Sequence, residues 1–66
     1  MRTTTYAELK VGDFMSCPDT GYSGLVLSVV PHEEDIEFQI EGCGELFMRP
    51  DSEVCIYYSL DISLQA

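Results

Sequence analysis

Three cysteines and one histidine are the residues of this chain best suited to metal or covalent chemistry. Cys17, Cys43, Cys55 and His32 together have the donor types of a zinc site. None of the cysteines stands in a Cys-x-x-Cys pair, the spacing that delivers two thiolates to one ion. Cys17 and Cys43 fall in stretches that read as loops, and Cys55 falls on the outward face of a strand. We therefore expect separate thiols, no metal and no cofactor. A nucleophilic cysteine needs a base within hydrogen-bond reach. His32 sits at a hairpin tip, surrounded by water. No catalytic residue is expected, and the chain reads as a non-enzyme.

The carboxylates form a denser pattern. From Glu33 to Glu53 there are eight acids and one basic residue, Arg49. Glu33, Glu34 and Asp35 lie at the hairpin tip, Glu37 and Glu41 point outward from one strand, and Glu45 follows across a turn. Side chains two apart on a strand are about 6.8 Å apart. A regular row of charge at that spacing can imitate a phosphate backbone and occupy a basic nucleic-acid-binding groove. The competing explanation is a solvated face that blunts edge pairing. Phe47 and Tyr57 add exposed aromatic surface, which marks a contact site if only one side of the sheet is covered. The expected partner-binding set is thus Glu33, Glu34, Asp35, Glu37, Glu41, Glu45, Phe47 and Tyr57.

These residues are positioned by alternation of period two. Leu25, Leu27 and Val29 alternate with small or polar neighbours, a polar break runs from Pro31 to Asp35, and Ile36, Phe38 and Ile40 resume the pattern. Two such runs around a short break predict a β-hairpin. With Pro31 opposite Ile36, Val29 faces Phe38 and Leu27 faces Ile40, so every large apolar residue lies on one side. Gly42 and Gly44 suit a tight turn, after which Ile40 opposite Leu46 and Phe38 opposite Met48 add a third strand. Pro50 and Asp51 turn a corner. Val54 to Leu64 then alternates without interruption for eleven residues, against about five or six in an ordinary strand. Upstream, Met1 to Thr5 reads as a polar tail. Thr5 and Glu8 fit a capping box for one helical turn over Tyr6–Leu9. A first strand follows over Val11–Ser16, then a turn through Pro18 and Gly21. The expected core is Val11, Phe14, Leu25, Leu27, Val29, Ile36, Phe38, Ile40, Leu46, Met48, Val54 and Ile56.

Size and charge bound the rest. Sixty-six residues make one domain. A chain this short buries only about 60% of its unfolded surface, which leaves little room for both a core and a deep cleft. The net charge is −9. Twelve carboxylates against Arg2, Lys10 and Arg49 argue against direct nucleic-acid binding, which needs basic residues, and against an anionic membrane. An odd cysteine count and the absence of an apolar leader or of roughly 20 consecutive apolar residues lead us to expect a cytoplasmic location.

Five short strands in a meander, with a corner before the last, predict an all-β fold: a small five-stranded antiparallel barrel with one N-terminal helical turn. The chain resembles the SH3-like barrels, in particular the KOW and Tudor-type branch. Leu9-Lys10-Val11-Gly12-Asp13-Phe14 looks like the first-strand lead-in of those domains. Gly21-Tyr22-Ser23-Gly24-Leu25-Val26-Leu27 looks like their glycine-marked second strand, and Pro50 through Ile56 like their corner and closing strand. The resemblance covers about residues 6–60 and implies a binding module that reads nucleic acid, peptide or modified side chains. The charge departs from the nucleic-acid binders. The leading expectation is an acidic adaptor or inhibitor docking on a basic surface of a larger intracellular protein, by analogy with compact acidic proteins of phages. The alternatives are a KOW/Tudor-type reader and a structural, oligomer-forming protein. Leu60, Ile62 and Leu64 continue the apolar face past the closed barrel, in a C-terminal extension over 60–66, and predict a homodimer.

Overall fold

In the computed structural model, which describes residues 2–60, every alternating stretch becomes part of one antiparallel sheet. Its strands are β1 (Arg2–Thr5), β2 (Asp13–Ser16), β3 (Ser23–Pro31), β4 (Ile36–Ile40), β5 (Gly44–Met48) and β6 (Glu53–Ser59). They lie in the order β1-β6-β2-β3-β4-β5 and curl into a half-barrel. The strand count corrects the expected five. Arg2 to Thr5, read as a polar tail, pairs along β6 from Arg2 opposite Ile56 to Thr5 opposite Glu53. Its three β-branched threonines suit a strand, and an outer strand needs no buried face, so no apolar alternation announces it. No helix among the described residues is long and apolar enough to cross a membrane.

The helical turn forms as a 3₁₀ turn over Tyr6–Glu8, without its capping box. Thr5 is extended and makes no side-chain cap bond. The free N–H groups of Tyr6 and Ala7 donate instead to the carbonyls of Ser52 (3.1 Å) and Pro50 (3.0 Å), tying this turn to the corner before β6. A tertiary acceptor has taken the place of a local one.

The central hairpin keeps its expected register at the tip, Pro31 opposite Ile36 and Val29 opposite Phe38, and loses it at the base. There Val26, not Leu27, faces Ile40, because a β-bulge inserts one residue between Val26 and Ser28. One extra residue exchanges the two faces. Val26 is fully buried and Leu27 is 49% exposed. Just before the bulge the backbones crowd together. A Cβ on Gly24 would sit 2.5 Å from the Glu41 carbonyl oxygen, while the Glu41 N–H donates to the Leu25 carbonyl at 2.9 Å. Only glycine allows β3 to pass the end of β4 this closely.

A second irregularity lies between β2 and β6. Phe14 pairs with Tyr58 but Met15 pairs with Ile56, so Tyr57 is the extra residue. Val54 and Ile56 point into the core, and beyond them the alternation changes sides, leaving Tyr58 52% exposed and Leu60 exposed as well. The described part of the eleven-residue run thus falls in a strand of seven residues, Glu53–Ser59, with a bulge. The third strand of the meander is offset by two from expectation. Phe38 faces Leu46 and Ile36 faces Met48, because the turn is tighter, with the Cys43 N–H donating to the Ile40 carbonyl. A shift of two preserves the faces, so Leu46 is buried as expected.

The core is Tyr6, Leu9, Met15, Cys17, Val26, Phe38, Ile40, Leu46, Val54 and Ile56, with Val29, Ile36 and Met48 packed against it. Phe14 and Leu25 are half-buried, and Val11, expected inside, is exposed in the turn ahead of β2. Asp13 occupies the inward position where β2 begins. Its carboxylate accepts from the Lys10 backbone N–H (3.0 Å) and the Ser59 hydroxyl (2.6 Å). Those two bonds let a buried carboxylate replace an apolar residue.

Candidate protein-interaction surface

Residues directly opposite on antiparallel strands share a face. Across β3, β4 and β5, Val30 pairs with Glu37 and Glu37 with Phe47, giving one row on the outer face of the sheet. Ser28, Gln39 and Glu45 form the next row. Val30 and Phe47 are 45% and 52% exposed. Glu37 lies half-buried between them and meets the His32 ring, Nε2 to Oε1 at 2.9 Å. The same ring stands 6.0 Å from Phe47, centroid to centroid. At the tip, the His32 N–H donates to the Asp35 carbonyl at 2.8 Å, which leaves Glu33 and Glu34 in water.

The structure therefore brings Glu37, Glu45 and Phe47 together on one face, with Glu33, Glu34 and Asp35 at the tip of the same hairpin. Glu41 is exposed beyond the far end of β4. Tyr57 belongs elsewhere, four strands away from β5 in the sheet. Its ring lies 6.1 Å from Phe14, and Tyr58 stacks on Phe14 at 5.1 Å and 16°. Leu60 ends the described chain, its N–H donating to the Gly12 carbonyl. Ile62 and Leu64 lie outside the described residues.

Alternation alone does not single out Val30 on this surface, or the Phe14–Tyr58 stack that lies away from it. Val30 follows from the tip register, since Pro31 opposite Ile36 already places Val30 opposite Glu37. The Phe14–Tyr58 stack depends on the second bulge and has no sequence signal.

The three cysteines are free and far from equivalent. Cys43 is exposed and donates its S–H to the Ser23 carbonyl. Cys55 is half-buried, 3.9 Å from the Thr3 hydroxyl. Cys17, expected in a loop, closes the core beside Tyr6, whose buried hydroxyl has no hydrogen-bond partner among the described residues. Burial, followed by the neighbouring thiol, raises the Tyr6 phenol well above its ordinary value. Burial also opposes ionisation of Cys17. The polar groups of Thr20, Tyr6 and Asp19 around it outweigh that and hold the thiol below its ordinary value. Among the described residues no three His, Cys, Asp or Glu side chains are grouped to hold a metal ion. No known family, curated protein or solved structure matches the chain.

Proposed function

We propose that the chain is an SH3-like small barrel acting as a non-enzymatic protein-binding module, an adaptor or inhibitor that docks on a basic surface of a larger intracellular protein. The fold reading is supported by the order β6-β2-β3-β4-β5: a four-strand meander from β2 to β5, a corner at Arg49–Ser52, and a last strand that returns beside β2, with β1 added outside β6. The functional reading rests on one observation: carboxylates and exposed apolar groups share the outer face of β3, β4 and β5, with no lysine or arginine on those strands. Glu37 and Glu45 put one carboxylate in each of two adjacent rows, Glu41 adds a third beyond the end of β4, and Val30 and Phe47 supply an apolar contact beside them. Electrostatic complementarity of this kind mainly accelerates association with the right partner.

The test is capture from cell lysate by the immobilised chain, with E37Q/E41Q/E45Q run beside it. A basic protein should be retained by the native chain, released by salt, and retained weakly by the variant, whose fold is intact because the three side chains do not build the core. Equal, salt-insensitive capture by both would sink nucleic-acid mimicry. A second reading, a reader of nucleic acid or modified peptide, is favoured by the Phe14, Tyr57 and Tyr58 rings, which offer a stacking platform. Retention of RNA or DNA at moderate salt would select it. Leu60 remains the described part of the proposed dimer contact.

A further inference from the structure

Among the described residues both ends of the sheet are open edges, and they differ. β1 presents Arg2 and three threonines. β5 presents Glu45 and Phe47 on its outer face and Leu46 and Met48 on its inner face, Met48 only partly covered. Of the devices that protect an edge, β5 carries only the charge of Glu45, which repels acidic strands and attracts basic ones; it has no lysine, no proline and no bulge in its pairing with β4. Among the described residues, its outward-facing backbone groups make no bond to another strand or loop. Unpaired N–H and C=O groups beside an exposed aromatic ring make a template for strand addition.

Charge decides what can use that template. A second copy would bring together two chains of net charge −9 each, with Glu37 and Glu45 on both sides of the new ladder. A basic strand meets the opposite situation. Its alternate side chains would fall on the outer face, beside Glu45 and over the Phe47 ring, where arginine gains both a carboxylate and a cation–π contact. The intervening side chains would fall on the inner face against Leu46 and Met48, where apolar residues are required. The pleat thus specifies the sequence pattern of the occupant.

Resting on the protein-binding reading above, we infer that β5 is a strand-addition edge for an extended peptide in which basic and apolar residues alternate. The partner's ladder continues the half-barrel beyond Gly44–Met48. Phe47 and Glu45 then select for arginine on one face while Leu46 and Met48 select for aliphatic residues on the other.

The probe is a short blocked peptide of alternating arginine and valine, with two derivatives carrying backbone N-methyl groups on either the odd or the even amides. In a strand only one set of N–H groups faces β5. One derivative should bind like the parent, and the other should bind about tenfold or more weakly, from the loss of several hydrogen bonds. Amide resonances of Gly44–Met48 should shift most and their hydrogen exchange should slow. F47A, at an exposed position, should fold normally and weaken binding several-fold. Equal binding of both derivatives, or shifts centred on β1 or β6, would overturn strand addition. If binding in that case still fell with salt and with E37Q/E41Q/E45Q, the protein-binding reading would survive alone. Slowed β5 exchange on raising protein concentration without peptide would assign the edge to a second copy and overturn the proposal as well. So would failure of the parent peptide to bind.

Discussion

Tyr6 sends its ring and its hydroxyl into the same core with opposite consequences. The ring packs against Phe38, centroids 5.5 Å apart, a tilted contact worth about 0.5–1.5 kcal/mol beyond the area it buries. The hydroxyl is buried without a partner, and an orphaned polar group costs about 1–3 kcal/mol. Its titration carries a sign that can be checked. The folded phenol holds its proton more tightly than the unfolded one, whose ordinary value is 10.0. Stability is therefore intact below pH 10 and declines as the pH rises beyond it, because the unfolded chain ionises first. Y6F keeps the ring and removes both effects. Thermal melts from pH 8 to 11 should show the native chain losing melting temperature above pH 10 more steeply than Y6F. Parallel curves would mean the phenol is not protected by the fold.

The bulge in β3 is the element that most separates what alternation predicts from what the chain does. Leu25, Leu27 and Val29 read as one face, yet Val26 enters the core and Leu27 faces water. V26A should cost about 2 kcal/mol, from two buried methyl groups at roughly 0.8 each plus the space they leave. L27A should stay within about 0.5 kcal/mol of the native chain, as exposed sites do. Denaturant titrations of the two variants decide it, and a larger loss from L27A would restore the unbroken strand. Alternation made the hairpin, its tip register and the buried face of β4 and β5 legible. A bulge changes parity without changing composition, so alternation puts Leu27 inside and carries the apolar face of β6 straight on past Ile56. β1 escaped because an edge strand of threonines carries no apolar signal. At the site, Glu37 and Phe47 follow from pairing alone, which survives an offset of two. Tyr57 was misgrouped with them because distance across a sheet depends on strand order, and alternation says nothing about order.

For the whole molecule the balance is between charge and apolar surface. A net charge of −9 on 66 residues opposes self-association. Exposed Val11, Leu27, Tyr58 and Leu60 favour it. The proposed dimer through Leu60, Ile62 and Leu64 makes the balance measurable. Sedimentation at high micromolar protein should give a dimer at moderate salt, weaker at low salt where repulsion is unscreened. A chain truncated before Leu60 should run as a monomer. A monomer at every concentration for the full chain would withdraw the dimer.

The place of β6 between β1 and β2 has a kinetic meaning. Its neighbours on both sides come from the opposite end of the chain, as the pairs Thr3–Cys55 and Asp13–Ser59 record, 52 and 46 residues apart. The β3–β4–β5 meander closes through turns of a few residues and can form early. Neither ladder of β6 can form until almost all of the described chain has left the ribosome, and each must overcome the entropy of a long loop closure. Folding should therefore be limited by the docking of one strand, and until it docks β1 and β2 wait as unpaired edges. A substitution that weakens the pairing of β6 should then slow folding only where the contact is made as that strand docks, whereas one that lengthens the chain between β5 and β6 should slow it directly.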